Sequence, residues 1–546
     1  MEENTAVKQW EGVIHMKIRR SFILGCLLFF SIAAGGCASG GEEKRAAGEK
    51  VLRYVNYGSL GEDGIDLLHL ESSANQTIAC YLTEGLMRVY QDELIYGVAD
   101  SYTISEDGCT YTFHLREDAC YSDGEPVRAD DFLRAFRRLL EKDNYNTRVA
   151  ILKNANEVYW GNLGIEELGV RVLDEQTLEI ELEHPMAHFL QLLALRAFTP
   201  IREDAEETLR PKDCNGPFVL AEAGQDHILR MEKNPFYWGR ETISLDAVEA
   251  VYLADTGAAY ELFLKGEVDV MPIPVDGGEA FQGGVQRRVM TGIYENLYPD
   301  LETPGPLQCK ELRLALHYAL DREEYRDALN STAIEPNARI VPAMGEGICQ
   351  DYTEMYPEVK PSVRGDQKQA QSCLEQALEK LGLSEPDEIT ISIAVNDDDW
   401  SKSEAQEVKR QWEEKLGIRV TVKALSAAEL YGEQADGDVT LSATIAEYSD
   451  IMAYLEGWDY DYSHGVSGNR SEEYQEYLRK AERQTDMQIR LNTLYRAEQI
   501  LMEDAVMIPL QLRADKLLLN AKLTGFETST NLAGGGYEFL YADFKE

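Results

Sequence analysis

An α/β fold with a parallel or mixed sheet is what this 546-residue sequence predicts. Three observations lead there. Glu388 to Ala394 alternates as a strand, Lys402 to Leu416 has helical spacing, and Gly417 to Lys423 alternates again. A strand–helix–strand crossover of this kind joins parallel strands. Upstream, Ala99 to Ser105 and Thr110 to Arg116 alternate on either side of Glu106-Asp107-Gly108, a hairpin signal that adds antiparallel pairing. Finally, 44% hydrophobic and 27% charged residues are globular proportions, and the length suffices for two or three domains.

In chain order, Lys17, Arg19 and Arg20 open a basic segment after Met16. An apolar run from Phe22 to Ile32 follows, then small residues up to Cys37. This is the layout of a secretory signal, and the run is too short to remain as a spanning helix. Its end resembles a bacterial lipobox, so Cys37 is expected to be lipidated and to begin the mature chain, holding it to a membrane outside the cytoplasm. Residues 1–15 are read as upstream of the true start at Met16, 16–36 as the signal, and 37–50 as anchor and tether.

Val51 to Tyr57 alternates as a strand. Ile78, Ala79, Leu82 and Leu86 predict a helix over 76–87, ending at Glu84-Gly85. Ala129-Asp130-Asp131 opens a helix with acidic residues where the dipole favours them, and Phe132, Phe136, Leu139 and Leu140 form its apolar face. Two further helices are predicted over 472–483 and 487–504.

The net charge of -44 argues against nucleic acid and against docking flat on anionic lipid. The cysteines are widely spaced, with no Cys-x-x-Cys, so neither a zinc site nor a disulfide is assigned.

Ser105-Glu106-Asp107-Gly108, Thr110 to Arg116, Asp123-Gly124-Glu125-Pro126-Val127 and Ala129-Asp130-Asp131 together resemble the signature of family 5 bacterial extracellular solute-binding proteins. The similarity continues in order through Pro185 with Phe189-Leu190, Asn215-Gly216-Pro217-Phe218, Asn234-Pro235-Phe236-Tyr237-Trp238, Arg313 to Leu316 with Ala319-Leu320-Asp321-Arg322, and Ile508-Pro509-Leu510. The resemblance implies a two-lobed periplasmic-binding-protein-like fold (type II, cluster C-like) with mixed sheets, a hinge and an extra inserted domain. Lobe I would comprise 51–87, 213–300 and 506–546, the inserted domain 88–212, and lobe II 301–505.

It also implies a function: capture of oligopeptides between the lobes and delivery to an ABC permease with its ATPase subunits. The chain itself would be a monomer without a cofactor. Peptide binders of the family carry a Trp-x-Ala-Asp-Tyr-like motif whose Asp pairs the ligand's ammonium. Thr444-Ile445-Ala446-Glu447-Tyr448-Ser449-Asp450 stands in its place, with Glu447 at the acidic position and Thr444 at that of the Trp. Glu71 falls where some peptide binders place a second carboxylate, and Trp458, in an aromatic-acid cluster, is a candidate pocket wall. The expected ligand residues are therefore Glu71, Thr444, Glu447, Tyr448, Asp450 and Trp458. The plainer alternatives are a solvated strand-end acid for Glu447, a surface acid for Glu71 and strand core for Trp458.

The sequence has no Gly-x-Ser-x-Gly, His-Glu-x-x-His or Walker loop, so no enzyme is expected. His184 and His188 are four apart, but Pro185 between them fits a helix start better than a metal site. A nickel complex, haem or a sugar as ligand, or a peptide-pheromone sensor, are the alternatives.

Overall fold

The structure is a computed structural model. It describes residues 48–57, 73–90, 93–142, 147–206, 208–221, 227–274, 280–342, 348–357, 360–430, 436–446, 448, 450–458, 471–529 and 536–545.

The strands of the two larger sheets and of one hairpin are β1 (Val51–Tyr57), β2 (Met87–Tyr90), β3 (Glu93–Tyr96), β4 (Ala99–Ile104), β5 (Thr110–Leu115), β6 (Val170–Asp174), β7 (Thr177–Glu181), β8 (Phe218–Leu220), β9 (Ile228–Lys233), β10 (Ala247–Leu253), β11 (Val270–Ile273), β12 (Val285–Pro299), β13 (Ile334–Pro336), β14 (Thr390–Asn396), β15 (Arg419–Leu425), β16 (Val439–Ile445) and β17 (Ile508–Leu519). Among the described residues, one eleven-stranded mixed sheet runs β15-β14-β16-β12-β17-β11-β1-β10-β9-β8, with β13 beside β17. The strand–helix–strand unit read from the sequence is there: β14 and β15 pair in parallel, joined by the helix Asp399–Leu416.

A separate four-stranded sheet, β4-β5-β7-β6, carries the predicted hairpin. Its apolar face, with Phe113, Leu178 and Ile180, buries Phe132 and Phe136 of helix α2 (Ala129–Arg138), which follows α1 (Ser73–Leu82). This sheet falls inside 88–212. We propose that the chain divides into lobe I, the inserted domain and lobe II at the bounds expected from the sequence.

Two strands tie the main sheet together. Val285–Met290 of β12 pairs with Ala514–Leu519 of β17, and Tyr294–Leu297 pairs with Ile508–Leu512. The register slips between Met290 and Tyr294. Gly292 sits there at φ +74°, a conformation that side chains with a Cβ rarely adopt. The Thr291 hydroxyl fixes the slip by donating to the Arg513 carbonyl at 3.0 Å. One apolar core, around Leu316, Ile391 and Trp412, lies on the β14 side of this crossing. Another, around Tyr54, Phe218 and Phe539, lies on the β1 side.

Several boundaries differ from the sequence reading for local reasons. Helix α1 ends at Leu82 rather than Met87, because Leu86 and Met87 turn into the β2–β3 hairpin. Gly85 enables this turn, since a Cβ there would stand 2.9 Å from the Leu193 carbonyl oxygen. His184 and His188 do not share a helix. His188 only precedes a short helix, α3 (Phe189–Leu192). Helix α4 (Asp399–Leu416) begins three residues earlier than predicted, because the Asp398 carboxylate caps it by accepting from the Ser401 N–H at 2.9 Å.

Candidate functional site

Strands β14 and β16 are parallel, and β12 is antiparallel to both β16 and β17. Strands β14, β16 and β17 therefore point the same way, and the carboxyl ends of β14 and β16 share one edge, at the level where β17 passes the slip in β12. In open α/β sheets ligands bind outside that edge. Thr444 lies one residue before the end of β16, and Ala446 and Tyr448 follow it. Ile445 is level with Ile293, beside the register slip of β12. The motif singled out in the sequence is thus placed where the two halves of the sheet meet.

Of the expected ligand residues, Glu71 and Glu447 lie outside the described residues, as does Cys37. Thr444 shares a short hydrogen bond with the Tyr298 hydroxyl. Trp458 is 5% exposed and sits in a 3-10 turn rather than a strand, stacked on Tyr298 with ring centroids 6.2 Å apart. Tyr448 lines a cavity. Asp450 does not. It is held in a two-pronged ion pair with Arg490 of helix α5 (Met487–Asp504) at 2.6 and 2.9 Å, and both side chains are 1% exposed. The geometry makes Asp450 a strut beneath the Tyr448 loop, its oxygens spent on Arg490 and on the Met452 N–H.

His188 joins this cluster from the segment between β7 and α3. Its ring lies parallel to Tyr448 at 5.4 Å, and its Nδ1 is 3.5 Å from the Arg490 guanidinium. The Arg148 guanidinium carbon lies 5.7 Å from the Tyr448 ring centroid. The Tyr448 hydroxyl donates to Glu456 at 2.5 Å. Burial pushes the His188 imidazole down to about 4; Asp450 opposes this, while Arg490 and Arg148 add to it. A histidine depressed in the folded state contributes stability above its ordinary pKa, and this is lost as pH falls from about 6.5 towards 4. Acidification from pH 7 to 4.5 is expected to cost wild type about 2–3 kcal/mol more than His188→Gln, at about 1.4 kcal/mol per unit. Urea denaturation of both proteins at the two pH values checks this; parallel losses would contradict it.

The cavity touching Tyr448 draws its walls from three parts of the chain: Cys80 to Val89, Gln191 to Thr199, and Glu538. It holds about 680 Å³ counting space open to solvent. Charges of both signs line it: Glu84 and Glu538, Arg88 and Arg196. Arg196 also makes a short contact with the Cys80 thiol. Burial raises that thiol's pKa and Arg196 opposes the rise. The Gln191 Oε1 is buried without a hydrogen-bond donor among the described residues. A zwitterionic or amide-bearing guest would meet complementary groups here.

Two of the motifs that carry the family resemblance, Asn215 to Phe218 and Asn234 to Trp238, brace this wall from behind. Glu84 accepts from the Tyr237 hydroxyl at 2.7 Å and from the Trp238 indole at 2.6 Å. Asn215 grips the Glu84 backbone from both sides, at 3.0 and 2.8 Å. Gly216 passes so close that a Cβ there would lie 2.7 Å from the Tyr81 carbonyl oxygen. The Tyr81 hydroxyl bridges Tyr537 and Phe539, which sets Glu538 at the cavity. Farther off, the buried Arg322 donates to the carbonyls of Pro509 and Leu320. Glu84, Arg88, Gln191, Arg196 and Glu538 were not singled out in the sequence. In the sequence Glu84-Gly85 reads only as a helix end, and the others give no signal in isolation.

Comparison with known proteins agrees with this frame. The dipeptide-binding protein DppE of Bacillus subtilis is 25% identical over 534 residues, covering 93% of this chain and 96% of that protein. The oligopeptide-binding protein OppA of the same organism is 26% identical over 546 residues, covering 93% and 97%. The crystal structure of the substrate-binding domain of an oligopeptide ABC transporter from Bacillus anthracis superposes with a TM-score of 0.71 at 26% identity, covering 92% of this chain and all of that one. The fold is therefore that of the two-lobed periplasmic binding proteins. The family described as bacterial extracellular solute-binding proteins, family 5 (middle) matches residues 93–465, and the chain belongs to it.

Proposed function

We propose that this chain is the extracytoplasmic substrate-binding component of an ABC importer, taking oligopeptides between its lobes and presenting them to the permease. The observation that carries the reading is the Tyr448 cavity, walled by all three proposed parts and lined by both signs of charge. A guest there touches every part that hinge closure would bring together. Glu447, next to Tyr448, is the proposed partner of the peptide's ammonium, with Glu71 as a second carboxylate and Thr444 and Trp458 in the wall beside them. Cys37 is proposed as the lipid anchor. The chain works as a monomer and performs no chemistry on its guest; ATP is hydrolysed by the permease complex.

Thermal denaturation against pools of two- to six-residue peptides, sugars and nickel chelates tests this. A guest bound only by the folded state at 100 times its Kd stabilises by about 2.7 kcal/mol. The peptide pools are expected to raise Tm. A rise with a sugar or chelate and none with any peptide would overturn the substrate class.

A further inference from the structure

A second cavity lies on the same sheet edge, away from the residues discussed so far. It is bounded by Ile334 of β13, by Trp400 in the first turn of α4, and by Gln511, Arg513 and Asp515 of β17. It holds about 490 Å³ counting open space. Residues 511, 513 and 515 alternate along one strand and share a face. That face runs from fully buried Gln511 to exposed Asp515. Its Arg513 is opposite the slip in β12, and Trp400 follows the carboxyl end of β14. The cavity therefore opens at the level of the Thr444–Tyr448 segment.

Two polar atoms there lack a partner among the described residues. The Gln511 side chain is 0% exposed, and its Nε2 donates to Glu404 at 2.6 Å and, by a short contact, to Glu295. Those two carboxyl groups fix which way the amide faces, and they leave Gln511 Oε1 as an acceptor with no donor. The Trp400 Nε1 is a buried donor with no acceptor. Buried polar groups are nearly always satisfied. The Arg513 charge is already offset by Glu295, 2.9 Å away.

We infer that Gln511 and Trp400 form a second subsite, which receives one peptide unit of an extended ligand, its N–H donating to Gln511 Oε1 and its C=O accepting from Trp400 Nε1. A single peptide unit offers a donor and an acceptor together, which is the complement of this pair. The inference rests on the peptide reading above and extends it: affinity increases once the ligand is long enough to span from the Tyr448 cavity to this one.

The test is a Kd series for oligoalanines of two to six residues on wild type and on Trp400→Phe, which keeps an aromatic ring and removes the donor. Below a threshold length the two proteins are expected to bind equally. Above it Trp400→Phe loses roughly tenfold, the range for a lost buried hydrogen bond. N-methylation of the responsible amide removes the donor to Gln511 Oε1 instead, so above the threshold length it is expected to weaken wild type and Trp400→Phe alike. Equal affinities at every length, or an equal loss at every length including dipeptides, would overturn the subsite while leaving peptide capture standing. Failure of wild type to bind any peptide would overturn both.

Discussion

Asp450→Ala is expected to lower the stability of the folded chain by about 3–5 kcal/mol, the cost of leaving one member of a buried ion pair alone. Arg490 is 1% exposed, and its other contacts are a 3.3 Å bond to the Ala481 carbonyl and the approach to His188. None supplies negative charge. Burial alone would raise the Asp450 carboxyl, but the Arg490 guanidinium outweighs it and holds the group below the usual carboxylate range. A carboxylate depressed in this way contributes stability above the unfolded value and loses it as pH falls through the folded one. Asp450 and His188 therefore weaken the junction in the same direction on acidification. Urea midpoints of wild type, Asp450→Ala and Asp450→Asn measure the effect. An unchanged midpoint with lost ligand binding would instead make Asp450 a ligand contact.

Glu447→Gln is expected to weaken binding of peptides with a free amino terminus by roughly 10- to 100-fold, the range for a hydrogen bond to a charged group. The proposal that Glu447 pairs the ligand's ammonium requires this. N-acetylation of the peptide removes the same charge from the other side, so the acetylated peptide is expected to bind wild type and Glu447→Gln alike. Calorimetric titration of the four combinations isolates the pair. If the substitution and the acetylation each weaken binding and their effects add fully, the two groups do not meet.

Much of the frame was legible in the sequence because it rests on local patterns. The hairpin at Glu106-Asp107-Gly108, the strand Val51–Tyr57 and the helix Met487–Asp504 all follow from periodicity and turn chemistry. Helix starts are less legible where the cap lies ahead of the apolar spacing, as at Asp398. The site was legible only as a neighbourhood. Motif order brought the reading to Thr444–Tyr448, but pairings such as Asp450 with Arg490, Glu84 with Trp238, or Gln511 with Glu404 join residues 40, 154 and 107 positions apart. Such pairs are set by packing of distant strands and helices, and no local periodicity encodes them. Asp450 illustrates the point: an acid beside a ligand motif looks like a contact until its arginine is seen beneath it.

The most direct measurement is native mass spectrometry of the folded chain mixed with an equimolar pool of tri- to pentapeptides, sugars and nickel chelates. The account predicts one peptide mass added per chain, with no adduct of the other solutes. A chain that carries a sugar or a chelate and leaves every peptide in solution would contradict it.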